Sequence, residues 1–141
     1  PRVTCIEKNA RYLKKDDFAD PLDIVTTDLS FISVLKVLPA VKEFIGSGRL
    51  ISLIKPQFEV GKGQVGKKGV VRHKTLHQDV LKRIIEEAKA IGFFPEGLIK
   101  SSYRGQRGNR EFFILWTLGK ESLNSQEIQR LIKEAVFDEK N

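Results

Sequence analysis

The 141 residues suit one domain, and 40% apolar with 30% charged residues is ordinary for a globular chain. No apolar run approaches the roughly 18 residues that span a bilayer, and the amino terminus, PRVTCIEKNARYL, does not read as a signal peptide, so neither membrane insertion nor export is expected. The net charge of +7 is concentrated: residues 55–74 carry +5 and residues 100–110 carry +4, a distribution that points to a polyanionic partner.

In chain order, Val3 and Cys5 form an apolar alternation near the amino terminus. Cys5 is the only cysteine, so no internal disulfide exists, and it is expected as a buried thiol. Without an export signal or a disulfide, the cytoplasm is the expected compartment. The chain does not start with Met, so the natural protein is expected to begin upstream.

Leu22 to Thr27 (LDIVTT) follows Pro21 and reads as a strand. Ser30 is a candidate cap for a helix that carries Phe31, Leu35, Leu38 and Ile45 at helical spacing. Pro39 predicts a kink or break within it, and Gly46 and Gly48 end it. Leu50 to Ile54 (LISLI) is a second apolar strand, followed by a Gly- and Lys-rich loop from Pro56 to about Lys74. The next helix starts near Thr75, which forms a capping-box pattern with Gln78. Leu76, Val80, Ile84, Ala88 and Ile91 share one face, and Gly92 closes the helix. A strand near Gly97 to Lys100, a polar stretch from Ser101 to Arg110 and the strand Phe112 to Leu118 follow. The last amphipathic helix begins near Ser125, with Ile128, Leu131, Ile132 and Ala135 on one face.

Strands alternating with helices make this an α/β fold of one domain, residues 1–141. The apolar strands suit a sheet covered on both faces. The last two strands are joined without a helix, so one of them is expected to run antiparallel.

In such sheets ligands bind at the carboxyl ends of parallel strands. Asp28 follows LDIVTT and Lys55 follows LISLI, so the two can meet in one cleft; a helix cap is the plain alternative for Asp28. Glu111 opens the strand after the basic loop RGQRGNRE, which can return it to the same sheet edge. A lysine flanked by carboxylates can orient a hydroxyl and stabilise the charge that develops on it. The loop from Gly61 to Lys68 nearly spells a phosphate-binding P-loop, but Lys68 stands where Ser or Thr holds magnesium, and no apolar helix follows at once. It fits better as a flexible basic loop that touches an RNA backbone. His73 and His77 are four apart at a helix start; with no further ligands they read as surface or capping residues, and no metal site is expected.

DLSFIS (Asp28 to Ser33), KPQFEVGK (Lys55 to Lys62), GKKGVVR (Gly66 to Arg72) and GNREFFI (Gly108 to Ile114) resemble the hemolysin A, or TlyA, family, which is similar to FtsJ-type RNA 2′-O-methyltransferases. The resemblance covers nearly the whole chain. It implies a Rossmann-like class I methyltransferase sheet with a carboxyl-terminal antiparallel strand, S-adenosylmethionine as cofactor, and ribosomal RNA within a ribosomal subunit as partner. A Lys-Asp-Lys-Glu tetrad activates the ribose 2′-hydroxyl in such enzymes. Asp28 matches its Asp, Lys55 its second Lys and Glu111 its Glu; the first Lys has no match. The family's first strands and glycine-rich cofactor turn are also missing, so the chain is expected to hold only part of the domain and to be inactive alone. By the same resemblance a short strand runs from Arg2 to Ile6, without its usual neighbours; Asn9 after it resembles the position that reaches the adenine, and Asp28, Leu29 and Ser30 would lie near the methionine end. Lys62, Lys67, Lys68, Arg72, Arg104, Arg107 and Arg110 are the expected RNA contacts. Two alternatives stand beside this reading: a non-catalytic RNA-binding module, and a membrane-active hemolysin, which no amphipathic basic helix supports.

Overall fold

The apolar runs build one four-stranded mixed sheet from β1 (Ile24–Thr27), β2 (Arg49–Ile54), β3 (Phe93–Lys100) and β4 (Phe112–Leu118), in the spatial order β1-β2-β4-β3. The computed structural model describes residues 2–139. β1 and β2 are parallel, and β4 runs antiparallel to both of its neighbours, as the helix-free connection requires. The helices are α1 (Leu38–Phe44), α2 (Pro56–Glu59), α3 (Lys74–Ile91) and α4 (Ser125–Phe137).

Period-two alternation sorts the two faces of the sheet. Leu50, Ile54, Phe112, Ile114 and Trp116 point to one face and are fully or almost fully buried. Leu38 and Val41 of α1, Leu81 and Ile84 of α3 and Ile132 of α4 join them in one core. The opposite face is not covered as expected: Ile51, Leu53, Phe113 and Leu115 are only half-buried, and Ile24 and Ile99 are each 64% exposed. All the longer helices contribute to a single core, so the strands, apolar on both sides, are shielded on one side only.

Several local expectations shift for identifiable reasons. No strand forms from Arg2 to Ile6; these residues are exposed and no described strand pairs with them, so their backbone groups gain no ladder partner. Cys5 is accordingly exposed rather than buried. Phe31 adopts φ 62°, a left-handed backbone that no helix can include, so Ser30 caps nothing. Ser33 instead accepts the Leu35 N–H at 3.2 Å and starts a 3-10 turn, Val34–Lys36. Pro39 does not break the helix but sits in its first turn, where the missing N–H costs no hydrogen bond. His73, not Thr75, holds the cap position of α3, and it makes no side-chain cap. Gly92 ends α3 with φ 112° as expected, and β3 follows at once, earlier than predicted. The proline that hides this start, Pro95, lies on an edge strand beside a bulge, where a lost N–H is tolerated. At α4, Asn124 and Glu127 form a reciprocal capping box.

Candidate active site

β1 and β2 end side by side, and a charged residue stands just beyond each. Lys55 Nζ lies 2.6 Å from Asp28 Oδ1. The Lys55 side chain is 15% exposed and that of Asp28 70%, so the ammonium is the enclosed partner and the carboxylate remains open to the outside. Lys55 is held from behind: its carbonyl accepts the Phe58 N–H at 2.9 Å as α2 begins at Pro56. Glu59, at the end of that short helix, accepts the Val34 N–H at 2.8 Å, which ties the segment after Lys55 to the segment after Asp28. Arg83 of α3 donates to the Glu59 carbonyl at 2.6 Å. Its guanidinium is 3.6 Å from Glu59 Oε2, an ion-pair distance too long for a hydrogen bond, so that oxygen is buried without a partner.

Burial raises the Glu59 carboxyl above its ordinary 4.5, against the smaller opposite pulls of the Ser33 hydroxyl, the Val34 N–H and Arg83. A carboxyl that holds its proton more readily when folded contributes stability that is complete below the unfolded value and lost as pH rises through the folded one. Glu59→Gln keeps an acceptor for Val34 and removes the titration. In urea unfolding, the variant should therefore gain on the wild type as pH rises from about 4 to about 8. A stability difference that stays flat, or that moves against the variant, contradicts this account of Glu59.

Glu111 continues the β4 ladder. Ile54 faces Phe112, so Lys55 and Glu111 are the next facing positions, and the Glu111 carbonyl accepts the Ser101 N–H at 2.9 Å on its other side. The side chain is buried, and its Oε1 accepts from Gln57 Nε2 at 3.1 Å. It fits because residue 105 is glycine; a side chain there would collide with the carboxylate. Among the described residues Glu111 makes no ion pair with Lys55. It reaches the pair's segment through Gln57, two residues past Lys55.

Gln57 is one residue that sequence reasoning missed. Its Nε2 donates to Glu111, and its Oε1 is left buried without a partner. Phe31 is another. Helical spacing assigned it to a core face, yet it is 86% exposed, with its ring 4.9 Å from that of Phe58. An exposed aromatic ring on a left-handed backbone is strained and open to stacking. Both residues belong to the motifs that carry Asp28 and Lys55, but spacing alone gives no reason to single them out.

The expected cofactor residues lie on an open surface. Asn9 is exposed and caps a 3-10 turn (Ala10–Tyr12), accepting the Arg11 N–H at 3.0 Å. Asp28 and Ser30 are exposed, and Leu29 is half-buried against the core.

The two basic stretches, expected to be flexible, are stitched together. Arg107 Nη1 donates to the Lys68 carbonyl at 2.6 Å, and Asn109 Nδ2 to the Gly69 carbonyl at 2.9 Å. Asn109 Oδ1 accepts the Val71 N–H at 3.0 Å. Lys68 and Arg107 both adopt positive φ, 70° and 56°. Lys62, Lys67, Lys68, Arg72, Arg104 and Arg107 are exposed, and Arg110 is half-buried. His77, expected at the surface, is buried instead: its Nε2 lies 2.9 Å from the Val71 carbonyl and its ring stands edge-on to Phe112. Burial lowers its pKa, against the opposite pull of the Val71 carbonyl and with a smaller push from Arg110; facing a carbonyl oxygen, its Nε2 carries a proton.

Among known proteins, YqxC of Bacillus subtilis, a candidate rRNA methyltransferase, is 39% identical over 142 residues, which cover 95% of this chain and 50% of that protein. The 16S/23S rRNA (cytidine-2′-O)-methyltransferase TlyA of Mycobacterium tuberculosis is 36% identical over 141 residues, covering 98% and 53%. The chain spans about half the length of these curated relatives. The crystal structure of a candidate hemolysin from Lactococcus lactis superposes with a TM-score of 0.82 at 32% identity, over 91% of this chain and 63% of that one. The model of the FtsJ-like methyltransferase family matches residues 1–118. Since that match takes in every strand of the sheet, the chain belongs to the FtsJ-like methyltransferase family.

Proposed function

We propose that the protein transfers a methyl group to the ribose 2′-hydroxyl of ribosomal RNA, with S-adenosylmethionine as donor and the cytoplasm as its place of work, residues 1–141 being one part of the methyltransferase domain. The observation that carries this reading is the 2.6 Å contact of Lys55 with Asp28 beyond the ends of two parallel strands. The name of the Mycobacterium tuberculosis relative, a cytidine-2′-O-methyltransferase of 16S and 23S rRNA, supports the substrate class.

Asp28 fixes the Lys55 ammonium at the mouth of the cleft. That ammonium orients the ribose oxygen and stabilises the negative charge that grows on it as its proton passes to solvent at the open mouth of the cleft. Glu111, held by Gln57 at the adjoining position, adds a second carboxylate that lines the cleft and can orient the ribose hydroxyl. The exposed ring of Phe31 offers a face on which the target base can stack. Lys62, Lys67, Lys68, Arg72, Arg104, Arg107 and Arg110 hold the RNA backbone. S-adenosylmethionine, when bound, supplies an electrophilic methyl group. Asn9, Asp28, Leu29 and Ser30 would give it one wall; they sit on an open surface, so they do not enclose it.

That openness has a measurable consequence. In calorimetry, the 141-residue chain should bind S-adenosylmethionine more weakly than micromolar, that is, with less than about 8 kcal/mol of binding free energy. A clear micromolar isotherm refutes the one-walled account. The activity itself is tested with labelled methyl donor and ribosomal RNA in a longer protein that carries this sequence. Label recovered on the ribose 2′-oxygen is expected; label on a base, or none, overturns the reading. The hemolysin alternative rests on the names of similar proteins such as the one from Lactococcus lactis; no helix among the described residues is long and apolar enough to cross a membrane.

A further inference from the structure

On the helix-covered side of the sheet, five cations from two stretches of chain, residues 72–74 and 100–110, converge on a cavity of about 420 Å³: Arg72, Lys74, Lys100, Arg104 and Arg110. Lys74 opens α3, Lys100 ends β3, and Arg104 and Arg110 belong to the loop before β4. Phe112 also lines the cavity, and in an extended strand it alternates with Glu111. The cavity therefore flanks the candidate active site across the backbone of β4. Bringing five like charges together is unfavourable unless a counter-charge compensates. The chain supplies only part of one. Lys74 is 3.6 Å from the Glu139 carboxylate, itself 91% exposed, and Lys100 donates to the Asp138 carbonyl at 2.7 Å. The Asp138 side chain is the other acid at the cavity. Arg104 donates to the Gly108 carbonyl at 3.1 Å. Among the described residues, Arg72 and Arg110 have neither an ion-pair nor a side-chain hydrogen-bond partner, and guanidinium groups suit the oxygens of a phosphate.

We propose that this cavity is a phosphate site that takes one backbone phosphodiester of the RNA substrate and displaces the weak Glu139 contact. The proposal rests on the RNA reading above and adds Lys74 and Lys100 to the surface that holds the strand. The cavity has room for a phosphate and several waters, each of which occupies about 30 Å³ in the liquid. A phosphate seated there fixes the strand beside Glu111, which diffuse surface charge does not do.

His77 lines the cavity and is one of two histidines in the chain, so its ring resonances report on occupancy by NMR. Titration of the 141-residue chain with a short oligoribonucleotide should move the His77 signals, and inorganic phosphate should move them in the same direction at higher concentration. In Lys100→Gln/Arg110→Gln the His77 response should vanish and RNA affinity should fall about tenfold, whereas Lys14→Gln/Lys15→Gln, exposed and away from the cavity, should keep the response. The indole signal of Trp116 checks that each variant folds; if the cavity variant does not, the wild-type titration still decides. RNA that binds without moving His77 overturns the proposal, as does a cavity variant that binds RNA like the wild type. Phosphate that moves His77 while RNA does not overturns the assignment to RNA. Failure of the catalytic reading is separate: a Lys55→Ala protein that still methylates RNA, with His77 still responding, sinks the role of Lys55 and leaves the phosphate site standing.

Discussion

Lys55→Ala in the active enzyme should lower single-turnover methyl transfer by about a hundredfold to a thousandfold, the usual cost of removing one group that stabilises charge in a transition state. RNA affinity should change by less than about threefold, since Lys55 is at most one contact among many and its side chain is mostly enclosed. The two effects separate because only interactions stronger in the transition state than in the ground state raise the rate. Unfolding does not offer an alternative explanation. Asp28 is largely exposed, and a pair of that kind contributes about 1 kcal/mol or less to stability, so the melting temperature should barely move. Lys55→Arg should not restore activity, because a planar guanidinium cannot place a single charge where the compact ammonium stands. Near-normal turnover by the alanine variant would remove Lys55 from the mechanism.

The second large effect concerns the basic surface. Lys62→Gln, Lys67→Gln and Lys68→Gln together should weaken RNA binding and flatten its salt dependence by about two units of log–log slope, at about 0.7 to 0.9 per lost phosphate contact. All three side chains are exposed, so their replacement leaves the core intact. The stitching between the loops uses the carbonyls of Lys68 and Gly69, which survive the change. An unchanged salt slope means that these lysines are solvated surface and that the RNA lies elsewhere.

What the sequence could and could not disclose follows the range of the forces involved. LDIVTT, LISLI and FFILWTL are apolar and β-branched enough to mark β1, β2 and β4 without help, and Gly92 marks the end of α3. Asp28 and Lys55 were visible because a strand end is a local feature that also fixes a place in the sheet. Boundaries that depend on tertiary partners were not visible. Ser30 and Ser33 are equally good caps on paper, and the left-handed turn at Phe31 decides between them. Arg2 to Ile6 alternates like a strand, but alternation cannot supply a neighbour. His77 carries a polar ring, and only the fold shows that the Val71 carbonyl receives it. The convergence of residues 67–71 with 106–109 is likewise a product of chain crossing, which no linear pattern encodes.

The strand order also sets the sequence of events by which the molecule forms. β4, the last of the four described strands in chain order, is inserted between β2 and β3 instead of being added at an edge. Until it arrives, β3 has no partner and the two halves of the sheet are unconnected, so the contacts that close the core span some sixty residues of chain. Contacts of that range are entropically slow to form. A nascent chain that stops before Glu111 therefore lacks an assembled sheet as well as an acid, and synthesis of β4 completes both together. Trp116, the only tryptophan, lies fully buried in that strand, so its fluorescence follows the closing step.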